Sequence, residues 1–278
     1  MNVPVKFNDV NFMMSIPDII CGYYPGANVQ LEIFKNGIWA REESIILTTI
    51  LDKFKGLVID VGANTGYFSF LALYKKCDVI SIEPNTIHTK YFMETMELNK
   101  FSFEKLRHYE LLVSSKIEDV SFDGWSATSG IMNVSDENLL VKTISLDNIC
   151  DECLFLKIDV EGYEPEVINS ADNLLKNKKI SYIMFEITYI IDNKIDNNNI
   201  NMIYKLNNYG YNLYEIQPNI LITIDNIENK VKKWEYEYFN THKKHDHLIT
   251  CAGSNLLAIH KDQLNPFTPL IGTNNFII

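Results

Sequence analysis

Val58-Ile-Asp-Val-Gly-Ala-Asn-Thr-Gly66 is the stretch whose reading decides the fold. Leu57–Val61 is a short apolar run with the length of a buried strand. Gly62, Asn64 and Gly66 follow, and a helical pattern over 67–75 then begins, with Phe68, Leu71 and Ala72 apolar. Glycines at such a junction let the backbone turn tightly and approach a ligand closely. In a sheet built this way the ligand sits at the carboxyl ends of the strands, beside a helix N-terminus. The dinucleotide pattern G-x-G-x-x-G is not met, because Asn64 and Tyr67 hold its second and third glycine positions. A pyrophosphate is therefore not expected on this turn. Asp60 points the same way, since a carboxylate repels phosphate and suits a cationic sulfonium or amine.

Outward from this turn the pattern alternates strand and helix. Strands are predicted over 79–82, near 108–113, over 154–160 and over 180–187, with helices over about 86–99 and 164–175. That alternation implies a mostly parallel sheet covered on both faces. Ahead of it, residues 41–54 fit a helix, with Ile46, Ile50 and Phe54 at i, i+4 and i+8. Residues 1–38 are broken by Pro4, Pro17, Pro25, Gly22, Gly26 and Gly37 and read as an irregular or β-containing cap. The division is a cap with its helix over 1–55 and a main domain over 56–278.

After the alternation, residues 114–135 read as a loop or hairpin and the Asn-rich 192–199 as a loop. A helix is predicted over 200–208, with Gly210 as its C-terminal cap. Strands at 211–216 and 255–260 complete the sheet as an antiparallel C-terminal pair, and the charged, aromatic 218–253 between them reads as a substrate-side lid.

Bulk properties narrow the class. The chain has 278 residues, 46% hydrophobic and 22% charged, a globular balance. A net charge of −11 argues against a nucleic-acid partner, which calls for a basic face. The five cysteines, Cys21, Cys77, Cys150, Cys153 and Cys251, are odd in number and irregular in spacing, so a reducing, cytoplasmic setting is expected. Cys150 and Cys153 lack the second half of a four-cysteine zinc site. No run of 18 apolar residues suggests a membrane span.

Three further signals carry chemistry. Glu83, followed by Pro84 and Asn85, ends the second strand about 20 residues past the turn, where an acid binds ribose hydroxyls in this class of sheet. Its carboxylate accepts two hydroxyl hydrogen bonds. In Phe155-Leu-Lys-Ile-Asp-Val-Glu-Gly162, strand alternation puts Lys157, Asp159 and Glu161 on one face, with Lys157 and Asp159 as a candidate pair. Glu186 repeats the theme on the next strand. A fourth cluster, His242, His245, Asp246 and His247, has the chemistry of a metal site but reads better as a solvated loop, flanked by Lys243 and Lys244.

Ile59–Phe70, Glu83-Pro84-Asn85, Thr143-Ile-Ser-Leu-Asp147 and Leu156-Lys-Ile-Asp-Val-Glu-Gly-Tyr-Glu164 together resemble the FkbM-type methyltransferases. The likeness spans roughly 56–190. It implies a Rossmann-like class I methyltransferase fold, S-adenosylmethionine as cofactor, and O-methylation of a hydroxyl, often on sugars or polyketide-type metabolites. By the same resemblance, Asp60, Gly62, Asn64, Thr65, Gly66, Glu83, Pro84, Asn85 and Asp159 bind cofactor. Asp159 and Glu161 face the reaction centre, with Lys157 and Glu186 beside them. The family's small-residue position after the third strand is here Val113-Ser114, which leaves the adenine contacts open. Residues 1–40 and 218–253 lie outside the likeness and are expected to select the substrate.

The expected reaction is methyl transfer to a hydroxyl of a sugar, nucleotide-sugar or related small metabolite. Asp159 is the first choice as base, Glu161 the second, and Glu186 orients the acceptor. A divalent metal held by these carboxylates is possible and less favoured, and a homodimer is compatible with the pattern. The rivals are N-methylation of an amino sugar, a non-catalytic cofactor-binding module and, disfavoured by Asn64 and Tyr67, a nicotinamide oxidoreductase.

Overall fold

A computed structural model describes residues 1–17, 28–122, 139–191, 194–242 and 252–278. Strands β1 (Asn2–Phe7) and β2 (Val10–Ser15) form an antiparallel hairpin, followed by α1 (Asn28–Asn36) and α2 (Arg41–Lys53). The alternation then runs β3 (Leu57–Val61), α3 (Tyr67–Tyr74), β4 (Asp78–Ile82), α4 (Thr86–Asn99) and β5 (Leu106–Tyr109). Strands β6 (Leu112–Val113), β7 (Asp119–Phe122) and β8 (Leu139–Ile144) make a small separate sheet. Next come β9 (Cys153–Ile158), α5 (Glu164–Asn169), α6 (Asp172–Lys176), β10 (Ile180–Ile191) and β11 (Lys194–Ile195). The chain ends with α7 (Asn197–Asn208), β12 (Tyr211–Gln217), β13 (Ile220–Thr223), α8 (Ile227–Glu237), β14 (Ala252–His260), β15 (Thr268–Pro269) and β16 (Phe276–Ile277).

The main sheet has the order β15-β16-β13-β12-β14-β10-β9-β3-β4-β5, with β11 paired to the end of β10. Strands β10, β9, β3, β4 and β5 are mutually parallel. The expected C-terminal pair, β12 and β14, is antiparallel and belongs to a larger antiparallel wing with β13, β15 and β16. This is a Rossmann-like α/β fold.

Residues alternate between the two faces. Val58, Phe155, Tyr182, Met184 and Leu257 join a core with the hairpin and with side chains of α2, α3 and α4. Ile59, Leu156, Ile183, Phe185 and Leu256 join a second core with side chains of α5, α6, α7 and α8. The N-terminal hairpin is tied to α4, with Ser15 N–H donating to Thr95 Oγ1 at 2.8 Å and Ser15 Oγ to Glu94 Oε2 at 2.6 Å. The start of α2 is tied to α3, where the buried Tyr67 hydroxyl meets Trp39 N–H at 3.2 Å and Ser44 Oγ at 3.1 Å.

Three local readings are corrected. The helix predicted over 164–175 is two helices. The Ser170 carbonyl, needed to continue the first, accepts instead from Ser145 Oγ (2.7 Å) and Asp147 N–H (3.1 Å). Asp147 then receives the N–H groups of Asn173 and Leu174, both at 3.0 Å, and starts the second. The strand predicted over 108–113 leaves the main sheet after Tyr109, and Leu112–Val113 pairs with β8. The Asn-rich stretch opens α7 rather than continuing a loop. Asp196 caps it, accepting from Asn198 N–H at 3.2 Å and Asn199 N–H at 3.3 Å. Asp196→Ala is expected to cost about 0.5–2 kcal/mol, the usual loss for a capping side chain, read as a lower midpoint in urea with an unchanged slope.

The 218–253 segment contributes to the core where it is described. Trp234 is buried, stacks on Tyr189 with centroids 4.6 Å apart and planes 3° apart, and donates to Glu215 Oε1 at 2.8 Å. Lys230 Nζ meets the other oxygen of Glu215 at 2.7 Å. The pairing offsets the burial of Glu215 and holds its carboxyl below the usual range. Among the described residues no helix is long and apolar enough to cross a membrane.

Candidate active site

The turn after β3 is lashed to β4. Gly62 N–H and Ala63 N–H both donate to Ile82 O, at 2.9 and 3.1 Å. Asn64 N–H donates to Glu83 Oε2 at 2.8 Å, and the other oxygen of Glu83 accepts from Asn85 N–H at 2.9 Å. Glu83 is buried and thus braces the turn from the end of the neighbouring strand. A carboxylate has about four lone-pair sites, so these two bonds leave it room to accept further ones.

Backbone conformation explains the residue types. Gly62 has φ +77°, and an added Cβ would lie 1.8 Å from the Asp159 carbonyl oxygen. Asn64 has φ +52°, a region that Asn tolerates better than most residues. Gly66, at φ +91°, lies against Phe92, whose ring would meet a Cβ at 2.3 Å, so its smallness serves packing. Thr65 is buried and its Oγ1 has no hydrogen-bond partner. Pro84 is buried, and Asn85 caps α4 through Ile87 N–H at 2.9 Å.

Asp60 lies beneath the turn. It is buried, and its Oδ2 accepts from Ser69 Oγ at 2.6 Å. Burial pushes its pKa up to about 6, partly opposed by that hydrogen bond and by the Lys157 charge. Lys157 pairs with Asp60 across the β3–β9 register. Its buried Nζ lies 3.1 Å from Asp159 Oδ2 and 5.1 Å from the Phe68 ring centroid. Burial works against its charge, but Asp159 and Asp60 outweigh it and keep the ammonium.

Strand β9 ends at Ile158 rather than at Val160 as predicted, so Asp159 and Glu161 stand on the loop beyond it and are not placed by strand alternation. Glu161 sits at φ +55° and Gly162 at φ +98°. Glu164, buried at the start of α5, holds this loop by accepting from Val160 N–H at 3.1 Å and Gly162 N–H at 3.2 Å. A non-glycine residue in the left-handed region costs roughly 1–2 kcal/mol, and such strain persists where the surroundings impose it. Glu161 keeps much of its surface. Its carboxyl is nonetheless pushed up to about 7, first by the protein packed around it, then by the charges of Asp159, Glu186 and Glu164. Glu186, half-buried on β10, is raised by burial and by Asp159 and Glu164.

Two partners of this cluster carry no sequence signal. Glu43, on α2, is buried and accepts from Asn255 Nδ2 at 2.7 Å. Asn255 is the β14 residue opposite Glu186. Burial raises the Glu43 carboxyl, while the nearby Lys157 lowers it. Neither lies in a motif, because the contacts join positions 212 residues apart.

Asn255→Asp would set a carboxylate against Glu43, and like charges at that separation cannot both ionise. Its proton would be held above the unfolded-state pKa, so the folded state binds the extra proton. The stability deficit is then small at pH 5 and grows to roughly 1–3 kcal/mol at pH 8, measured by thermal unfolding at both values.

Among the described residues no three His, Cys, Asp or Glu side chains are arranged to hold a metal ion. His245, Asp246 and His247 lie outside the described residues. His260 is buried at the C-terminal end of β14, an interior strand of the sheet, against Tyr211. Cys153 is buried, which pushes its thiol well up, and Cys150 is pushed up to about 11 by burial, so neither thiol is activated.

Comparison with known proteins finds a sequence match to one family. Its model, described as the Methyltransferase FkbM domain, matches residues 60–213. A hexuronic acid methyltransferase, AglP of Haloferax volcanii, is 28% identical over 163 residues, covering 55% of this chain and 66% of that protein. The chain thus spans just under two thirds of that relative's length. A crystal structure of an FkbM methyltransferase from Methylobacillus flagellatus KT superposes with a TM-score of 0.37 at 17% identity, over 48% of this chain and 32% of that one. A precorrin-6y C5,15-methyltransferase from Geobacter metallireducens GS-15 gives 0.41 at 11% identity, over 89% and 97%. These structural likenesses are too distant to add to what the strand order says. The family match runs through the turn, Glu83, the Lys157–Glu164 loop and Glu186, over more than half of the sequence, and on that ground the chain belongs to the FkbM-domain methyltransferases.

Proposed function

We propose that this protein transfers a methyl group from S-adenosylmethionine to a hydroxyl of a carbohydrate or similarly hydroxyl-rich small molecule. The observation that carries the reading is the gathering of Glu43, Asp159, Glu161 and Glu186 about Lys157, beside the Gly62–Gly66 turn. Carboxylates are strong acceptors for hydroxyl donors. The residues present fit the cofactor. Glu83 and Asp159 are acidic strand-end groups suited to ribose hydroxyls and a cationic sulfonium, and the buried Thr65 Oγ1 lacks a partner that a polar ligand would supply. When bound, S-adenosylmethionine supplies a methyl group on a good leaving group.

The protein's own part is then to align the acceptor and take its proton. Alignment alone can supply about 7–11 kcal/mol. Two observations support Glu161 over Asp159 as the base. The Asp159 carboxylate is already engaged by the Lys157 ammonium, 3.1 Å away. Glu161 has a pKa near 7, where a general base works best near neutral pH. Glu186 and Glu43 would orient the acceptor, and the 1–40 and 218–253 segments would select it.

AglP, by its name, acts on a hexuronic acid. In this chain an acceptor carboxylate would meet four carboxyls and an ammonium already paired, so a neutral sugar face is the better match. The test is incubation with S-adenosylmethionine and a panel of neutral sugars, uronic acids and nucleotide-sugars, read by mass spectrometry for gain of one methylene. Absence of cofactor binding in calorimetry would overturn the reading.

A further inference from the structure

Gln30 lies on α1, outside the stretch that matches the family, in a segment whose sequence suggests acceptor selection. It is fully buried, and its Nε2 donates to Asn64 Oδ1 at 3.5 Å. Asn64 Oδ1 also accepts Thr65 N–H at 2.7 Å, which fixes that atom as the oxygen. Gln30 must therefore turn its nitrogen toward Asn64. Its Oε1 is left buried without a hydrogen-bond partner, and Thr65 Oγ1 in the same turn is in the same condition. Buried polar atoms in native proteins almost always have a partner, so an orphan at a ligand-facing turn calls for one. An apolar side chain of similar size would fill the position without that penalty.

We propose that Gln30 recognises the amino-acid end of S-adenosylmethionine, its Oε1 accepting a hydrogen bond from the methionyl α-ammonium. The inference rests on the cofactor reading above and deepens it. The choice of end follows from the sheet. Glu83, where ribose hydroxyls are expected, ends β4, which lies between β3 and β5. A ligand centred there points one end over β5 and the other over β3 and β9. Asn64 belongs to the turn after β3, so Gln30 reaches the second end, where the carboxylates of Asp60 and Asp159 on β3 and just past β9 suit the cationic amino-acid end better than the uncharged adenine. Oε1 needs a donor, and an ammonium offers three. The N-terminal cap would then be part of the cofactor site rather than of acceptor selection alone.

Calorimetry on the full chain separates the possibilities, using S-adenosylhomocysteine and 5′-methylthioadenosine, a nucleoside thioether without the amino-acid end. Gln30→Leu is expected to weaken S-adenosylhomocysteine about tenfold or more, the usual loss for a hydrogen bond to a charged group. The same change should leave methylthioadenosine affinity within about twofold, because no group it carries meets Gln30. Retained methylthioadenosine affinity, together with a thermal unfolding midpoint close to that of the wild type, guards against a mere folding defect in the leucine variant. Equal weakening of both ligands, or of neither, would overturn the role of Gln30. A wild-type protein that binds neither ligand would overturn the cofactor reading itself.

Discussion

Gly62→Ala is expected to abolish S-adenosylmethionine binding and to lower stability by roughly 3 kcal/mol or more, the upper range for a single substitution. The position requires φ +77°, which an alanine adopts only with strain. More decisive is the neighbour. The new Cβ would lie 1.8 Å from the Asp159 carbonyl oxygen and 2.8 Å from its carbon. A backbone carbonyl cannot rotate away as a side chain can. The end of β9 would have to move, taking Asp159, Glu161 and their loop with it. Gly162→Ala is the control. Gly162 has φ +98° but open space around its missing Cβ, so only the conformational cost of about 1–2 kcal/mol applies. Thermal unfolding and calorimetry on both variants measure the contrast; equal losses would mean that the clash is relieved elsewhere.

Glu161→Gln is expected to lower kcat by about 10²–10⁴-fold, the contribution of a positioned general base. Cofactor affinity should be nearly unchanged, since the residue lies beyond the turn that binds it. The pH dependence gives a second readout. A base must be unprotonated to work, so wild-type kcat should rise with pH through about 7, and the variant should lack that limb. Stability moves the opposite way. The folded-state pKa of about 7 lies above the ordinary 4.5, so the folded protein binds the extra proton between those values. That contribution is present below pH 4.5 and is lost as pH rises through 7. Glu161→Gln should therefore leave stability unchanged in acid and raise it above neutrality. If Asp159→Asn instead removes the pH limb while Glu161→Gln keeps it, the two roles are exchanged.

The elements legible in the sequence were those set by local pattern. The run at 57–61, its turn, the helix over 86–99 and the strands at 79–82 and 180–187 lie close to where their periodicity placed them. Boundaries failed where a distant residue intervened. The break at Ser170 depends on Ser145 and Asp147, some 25 residues earlier. The end of β5 depends on β8 offering Leu112–Val113 a different partner. The 218–253 segment reads as a substrate-side lid from its charged and aromatic residues, yet Trp234, bonded to Glu215, packs into a core.

The site divides along the same line. By itself the sequence determined the α/β alternation, the glycine-bearing turn and the acids at strand ends, because strand periodicity and turn chemistry are local properties. Only the tertiary structure brought Glu43 and Asn255 to Glu186 and set Gln30 against Asn64. The Lys157–Asp159 pair was legible in the sequence, whereas only the tertiary structure pushed the Glu161 carboxyl up to about 7. Those outcomes depend on burial and on charges from separate elements, and both fall steeply with distance in space whatever the separation along the chain.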